Sequence, residues 1–350
     1  MLSVSDLGKT YRVADKQPGL AGTLQHLFRR RYRDIVAVSG VDFRVEPGEF
    51  VGFLGANGAG KTTTLKMLSG LIRPSTGKAV VMGYEPFARE HAFLKQITLV
   101  MGQKQQLIWD LPALDSLRIN GAVYEMSASD ARQRIGELAE MLDANHLLTQ
   151  PVRKLSLGER MKCELLAALL HRPSVLFLDE PTLGLDINAQ ESIRSFLKHY
   201  NQRYGATVLL TSHYMADITA LCSRVLVIHE GRLVYDGALS SLAERLTPDR
   251  VVELRLTEPV SDDSLRSFGQ VLARDGLSVS LVVDRALLRQ TIARIFEELK
   301  PSDLNVHEPA IETVIGPLLR GEQLMRPLAS SEASSVATGH EPSRHDTRAP

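Results

Sequence analysis

Two kinds of apolar spacing alternate along the chain. Val175-Leu176-Phe177-Leu178 and Ala206 to Thr211 are short apolar runs, the pattern of strands buried on both faces of a parallel sheet. Ile35 to Val45 and Glu49 to Leu54 alternate as strands do, with Pro47-Gly48 as the turn between them. Leu2 to Val13, Lys78 to Met82 and Gln96 to Met101 read as further strands, and Arg224–Ile228 with Leu233–Tyr235 as a hairpin around Glu230-Gly231. Between them the period changes to that of a helix. Residues 113–148 carry a stripe of Ile135, Leu138, Met141 and Leu142, capped by the Ser127–Asp130 stretch, and 155–171 form a second helical run. The stripe is expected to be core. The whole predicts an α/β chain.

The character changes after about Leu246. Val252, Leu254 and Leu256 alternate, 264–274 reads as helical and 277–283 again as a strand. Asp284 is placed to cap a helix with Leu288, Ile292, Ile295, Phe296 and Leu299 on one face. This β-α-β-α order predicts a small α+β domain over 247–327. From 328 to 350 large apolar residues nearly vanish, and a disordered tail is expected. Near the N-terminus, 14–34 stands out. Leu20, Leu24, Leu27 and Phe28 share a helical face, followed by Arg29-Arg30-Arg31-Tyr32-Arg33. Such a basic amphipathic insertion fits a membrane surface or a partner, and equally a hairpin lying on its own domain.

Composition narrows the class. Lysine plus arginine equals aspartate plus glutamate, 41 of each, so no nucleic-acid partner is expected. Cys163 and Cys222 lack metal-ligand spacing and fit a reducing compartment as small buried groups. No signal peptide is visible at Met1–Asp6 and no uncharged apolar stretch approaches a membrane span, so a soluble chain is expected.

The chemistry begins at Gly55-Ala56-Asn57-Gly58-Ala59-Gly60-Lys61-Thr62-Thr63. A strand, then G-x-x-x-x-G-K-[ST], then a helix is the phosphate-binding P-loop. Glycines let successive backbone N–H groups line one concavity, and the helix N-terminus adds positive potential. Lys61 reaches the β- and γ-phosphates and Thr62 is placed to ligate Mg²⁺. A nucleoside triphosphate is the expected ligand.

Other motifs follow in a fixed order: Tyr11, Gln103, Leu155-Ser156-Leu157-Gly158-Glu159, Val175 to Glu180, Gly184-Leu185-Asp186 and Thr211-Ser212-His213. With the P-loop they resemble the nucleotide-binding subunit of an ABC transporter, over about residues 1–246. The resemblance implies a P-loop NTPase of ABC type: a RecA-like core sheet, an antiparallel β subdomain and a helical subdomain at 104–160. It implies ATP and Mg²⁺ as cofactors, with Thr62, Gln103 and Asp179 at the metal. It makes Glu180 the residue that orients and activates the attacking water, and gives His213 a γ-phosphate hydrogen bond and support of Glu180. Tyr11 would stack on adenine, and Asp186 would make contacts across a subunit pair. Ser156, Gly158 and Glu159 would face the nucleotide held by the other subunit. Two residues depart from the pattern: Leu157 replaces a glycine and Glu159 a glutamine. The Glu159 carboxylate is expected to add negative charge near the triphosphate.

The implied partners are a separately encoded integral-membrane permease and a second copy of the chain or a paralogous ATPase. The implied place is the cytoplasmic face of the cell membrane. Trp109, the only tryptophan, suits either such a contact or the core. The order of elements, the 14–34 insertion and Gly83-Tyr84-Glu85-Pro86 most resemble exporters of drugs and other amphipathic compounds. The rival class, a non-transport ABC ATPase working on ribosomes or nucleic acid, finds no second motif set and no long coiled coil between Lys61 and Ser156.

Overall fold

A computed structural model describes residues 1–14, 32–102, 105–246 and 249–307. Its centre is a six-stranded sheet of β3 (Phe50–Leu54), β5 (Ile97–Met101), β6 (Val175–Asp179), β7 (Thr207–Thr211), β8 (Arg224–His229) and β9 (Arg232–Ala238), in the order β5-β6-β7-β3-β8-β9. The first five pair in parallel and β9 closes the edge as an antiparallel hairpin with β8. The unbroken apolar runs are buried on both faces. Leu176 and Leu178 of β6 and Leu210 of β7 join one hydrophobic cluster, while Phe177 and Leu209 join the other. Period-2 geometry sends neighbours to opposite sides, and both sides are covered.

One cover is the antiparallel sheet of β1 (Leu2–Ala14), β2 (Tyr32–Val45) and β4 (Thr76–Val81), ordered β2-β1-β4, together with helix α1 (Lys61–Leu68). The other is helical: α2 (Ala113–Val123), α3 (Ala128–Met141), α4 (Leu157–Leu169) and α5 (Ile187–Tyr204). Ser127 caps α3 by accepting from the Asp130 N–H, and Ile135, Leu138 and Leu142 are core. Trp109 is not core: it is 46% exposed, with Arg160 over its ring.

After α6 (Met215–Leu221) and α7 (Leu239–Leu246) comes a second unit with its own hydrophobic cluster. It contains β10 (Asp249–Arg255), α8 (Asp262–Arg266), β11 (Gln270–Asp275), β12 (Ser278–Asp284), α9 (Leu288–Glu298) and β13 (Asp303–His307). The strand order β11-β12-β10-β13, all antiparallel, is that of a ferredoxin-like β-α-β-β-α-β unit.

Here the sequence reading needs correction. The helix expected at 264–274 stops after a single turn, because Phe268 turns the chain into the core. Gly269 then passes so close to β12 that a Cβ would stand 2.5 Å from the Val282 carbonyl oxygen. Residues 270–275 are therefore a strand. Asp284 does not cap α9: it accepts from the Ala286 N–H, and the helix begins later, after Leu287, with no side-chain cap. Phe296 leaves the expected apolar face and is 52% exposed. Gln103, most of the 14–34 insertion and the 328–350 tail lie outside the described residues.

Candidate functional site

The P-loop joins β3 to α1 at the carboxyl edge of the central sheet, where open α/β sheets bind ligands. Two of its glycines are required by contact. A Cβ on Gly55 would stand 2.2 Å from the Ile228 carbonyl oxygen, and one on Gly60, at φ +110°, 2.6 Å from the Ala37 carbonyl oxygen. Asn57 and Gly58 form the exposed tip, Ala59 is buried behind them, and Thr63 lies in the first turn of α1. The Lys61 ammonium folds back across the loop and donates to the Gly55 and Ala56 carbonyls, at 2.7 and 3.0 Å. Burial pushes Lys61 below its ordinary value, opposed by the neighbouring Glu180 and Asp179 carboxylates.

Those carboxylates arrive from β6. Asp179 ends the strand, where Oδ1 accepts from the Thr62 hydroxyl at 3.1 Å and from the Thr211 hydroxyl at 2.8 Å. Parallel pairing sets Thr211 of β7 directly beside Asp179. The same Thr211 oxygen accepts from the Glu180 N–H at 3.1 Å, so one buried hydroxyl holds both acidic residues. Glu180 has φ 55°, the left-handed region that non-glycine residues seldom adopt, and its Oε1 lies 2.8 Å from His213 Nε2.

Beneath them lies a connection that sequence reasoning missed. Asp217 of α6 is 1% exposed and accepts from the Thr182 hydroxyl at 2.5 Å, the Ser212 hydroxyl at 2.7 Å and Arg194 Nη1 at 3.0 Å. Thr182 follows Glu180 by two residues and Ser212 precedes His213 by one. The two loops that carry the Glu180–His213 pair are thus tied to a single carboxylate. The available signal was weak: polar residues at the ends of two apolar strands, and an aspartate one turn into a short helix.

Tyr11 is half-buried in β1, opposite Ile35 of β2, with the Lys9 ammonium 5.3 Å from its ring centroid. Two residues along β2 from Ile35 is Ala37, whose carbonyl abuts Gly60, so Tyr11 stands on the ribbon beside the P-loop.

The remaining residues lie apart from these, with Ser156 and Asp186 exposed, Glu159 half-buried and Gly158 buried. Ser156 caps α4 in a reciprocal box: its hydroxyl accepts from the Glu159 N–H, and Glu159 Oε2 accepts from the Ser156 N–H at 2.8 Å. That backbone donor is the main reason the Glu159 carboxyl sits below the usual carboxylate range. Glu159 is thus turned onto its own helix end. Asp186 caps α5 by accepting from the Ala189 N–H, and a Cβ on Gly158 would lie 2.8 Å from the Ala189 Cβ. The two helix starts are therefore close together. Among the described residues, no hydrogen bond or ion pair links Ser156, Glu159 or Asp186 to the P-loop or to Asp179, Glu180 and His213.

A strand–P-loop–helix with a carboxylate pair on the next-but-one strand defines a P-loop nucleoside triphosphatase. Residues 38–183 match the family model described as ABC transporter, and 248–307 match that of the EvrA-like ABC transporter C-terminal domain. The chain is 35% identical to the ABC transporter ATP-binding protein NatA of Bacillus subtilis, over 61% of this chain and 89% of that protein. It is 34% identical to the daunorubicin resistance ATP-binding protein DrrA3 of Streptomyces coeruleorubidus, over 81% and 87%. It is 36% identical to the Nod factor export ATP-binding protein I of Burkholderia pseudomallei, over 73% and 84%. Among solved structures, an ATP-binding subunit of an ABC transporter superposes with a TM-score of 0.57 at 25% identity, over 70% of this chain and 92% of that one. The dimeric, ADP- and phosphate-bound cassette MJ0796 shares the fold, with a TM-score of 0.56 at 24% identity, over 68% of this chain and 98% of that one. The chain belongs to the ATP-binding subunits of ABC transporters, and it is an ATPase of that family. Among the described residues no helix is long and apolar enough to cross a membrane.

Proposed function

We propose that this subunit hydrolyses ATP at the Lys61–Asp179–Glu180–His213 edge to drive export of drugs or other amphipathic compounds through a separately encoded permease. The observation that carries the catalytic reading is the 2.8 Å contact of His213 Nε2 with Glu180 Oε1, beside a lysine and a hydroxyl–carboxylate pair. Glu180 takes the proton of the attacking water, and His213 holds the carboxylate in place. Backbone N–H groups of Gly55–Thr63 and the Lys61 ammonium hold the triphosphate, and Tyr11 stacks on the base.

Mg²⁺ fits the donor set. Thr62 Oγ1 and Asp179 Oδ1, 3.1 Å apart, offer one hydroxyl and one carboxylate, the sparse oxygen set this ion takes when phosphates and water complete its shell. Gln103 is proposed as a further ligand. When bound, the ion neutralises charge developing on the phosphates.

Ser156 and Gly158 at the start of α4, with Asp186, serve a nucleotide held by a second subunit. The exposure of Ser156 and Asp186, and the separation of all three from the P-loop within one chain, support that reading. The printed functions of the drug-resistance and Nod-factor relatives support export, and a peripheral position on the cytoplasmic face follows from it. Glu180→Gln tests the chemistry: steady-state phosphate release is expected to fall by about 10²-fold or more, with nucleotide binding retained. Turnover at the parent rate would remove Glu180 from its role.

A further inference from the structure

In the middle of α4, where Cys163, Leu165 and Leu166 are fully buried, stands a carboxylate. Glu164 is 3% exposed, and a glutamate is seldom buried to that degree unless its oxygens are engaged. Here backbone engages them. Oε2 accepts from the Gln106 N–H at 2.9 Å, while Oε1 accepts from the same N–H at 3.1 Å and from the Leu107 N–H at 3.3 Å. Bonds to an ionised acceptor are stronger than neutral ones. We propose that Glu164 is a positioning residue for ATP hydrolysis, fastening the segment that leaves β5 to α4 so that the Asp179–Glu180 edge and the helix bearing Ser156 keep one relation.

That segment is anchored at both ends. At its start the Gly102 N–H donates to the Asp179 carbonyl. Four residues on, Gln106 and Leu107 hang from Glu164. The next two residues are held as well: the Ile108 N–H donates to Ser116 Oγ at 3.1 Å, and the Trp109 carbonyl accepts from the Arg153 N–H at 3.0 Å. Arg160, one turn before Glu164 on the same face of α4, lies 5.6 Å from the centre of the Trp109 ring. Two side chains of one helix face therefore grip the same stretch. Of these backbone anchors, Glu164 alone is both buried and ionisable.

The position of the grip gives it a bearing on turnover. Ser156 starts α4 eight residues before Glu164, about 12 Å along the helix axis. The anchored stretch thus runs from the carbonyl of Asp179, next to the water-activating residue, to the helix that serves a partner's nucleotide. This rests on the reading of Glu180 and Ser156 given above. A released stretch would let the catalytic edge and α4 drift apart, and small misplacements of reacting groups are costly to the rate.

The test compares steady-state phosphate release and nucleotide binding in three variants, with turnover counted per nucleotide-binding site so that unfolded protein does not enter. Glu164→Leu removes both acceptors. It is expected to lower kcat about tenfold while KM for ATP and the nucleotide Kd stay within about twofold. Glu164→Gln keeps one oxygen in reach of both N–H groups and should recover turnover to within about threefold of the parent. Glu164→Asp keeps the charge but withdraws it by one methylene; it should be slowed like Glu164→Leu, and it decides the matter if Glu164→Leu does not fold. A Leu or Asp variant that turns over like the parent, or a Gln variant as slow as the Leu variant, would reduce Glu164 to a packing role and overturn the proposal. Glu180→Gln is run alongside. If it is inactive while Glu164→Leu is normal, only the present proposal fails; if it turns over normally, the catalytic reading fails instead.

Discussion

The hydroxyl of Thr211 shows how much one small side chain can organise. It donates to Asp179 and accepts from the Glu180 backbone, which leaves the Glu180 side chain free to meet His213. The left-handed backbone at Glu180 costs on the order of 1 kcal/mol, and the bonds to Thr211 offset it. Asp217 acts one layer further down. Removing it as Asp217→Ala leaves the Arg194 charge and two hydroxyls without their acceptor. A loss of roughly 3 kcal/mol in urea unfolding is expected, with lower turnover because the loops at 180–182 and 211–213 are released. Unchanged stability and turnover would show that the network is idle. The residues that act locally were legible in the sequence. Lys61 was read from the P-loop pattern, and Asp179, Glu180 and His213, each at a strand end, from the family resemblance. The bonds of Thr211 to Asp179 and Glu180 and of Thr182 to Asp217 were not, because they span 31 to 35 residues and exist only once the strand register is known.

At the scale of elements, the pattern reading succeeded where burial is two-sided or strictly periodic, as in β6, β7 and α3. It failed between 264 and 275, where Leu265 and Phe268 fit a helical face but Gly269 against β12 ends the helix. The Ser156-x-x-Glu159 box was present in the sequence and was read only as a substitution, since a reciprocal cap and a changed nucleotide contact use the same two residues. The junction of α2, α3 and α4 carries its own prediction. Burial lowers His171 to about 4 from an ordinary 6.5, so the folded state holds the ring neutral. Arg134 from α3 adds repulsion, while the Ile97 carbonyl favours the proton; Lys95 and Arg172 line a cavity with His171. Because the folded value is the lower one, this contribution is complete above about 6.5 and disappears as pH falls toward 4, by roughly 3 kcal/mol. Unfolding by urea at stepped pH should therefore show a shallower acid decline in His171→Phe than in the parent. Parallel curves would mean that the imidazole charges without penalty.

For the whole molecule, the proposed function divides the work between two surfaces. The P-loop edge and the Ser156–Asp186 surface share no hydrogen bond or ion pair among the described residues, and the proposed reading assigns the second surface to a nucleotide held by another chain. Glu180→Gln incubated with ATP is accordingly expected to shift from monomer to dimer in sedimentation, and Ser156→Arg in the same background to remain monomeric. A Ser156→Arg variant that still dimerises would place the contact elsewhere. The second unit, 249–307, keeps a hydrophobic cluster separate from the two of the ATPase body.

Gly102 lies where β5 ends, and it has no room for even a methyl group. A Cβ there would stand 2.4 Å from the Glu180 carbonyl oxygen, and the Gly102 N–H donates to the Asp179 carbonyl at 3.0 Å. Gly102 therefore rests on the very peptide that carries the carboxylate facing His213. Any side chain at position 102 would push on the backbone of Glu180 itself, with no other side chain between them.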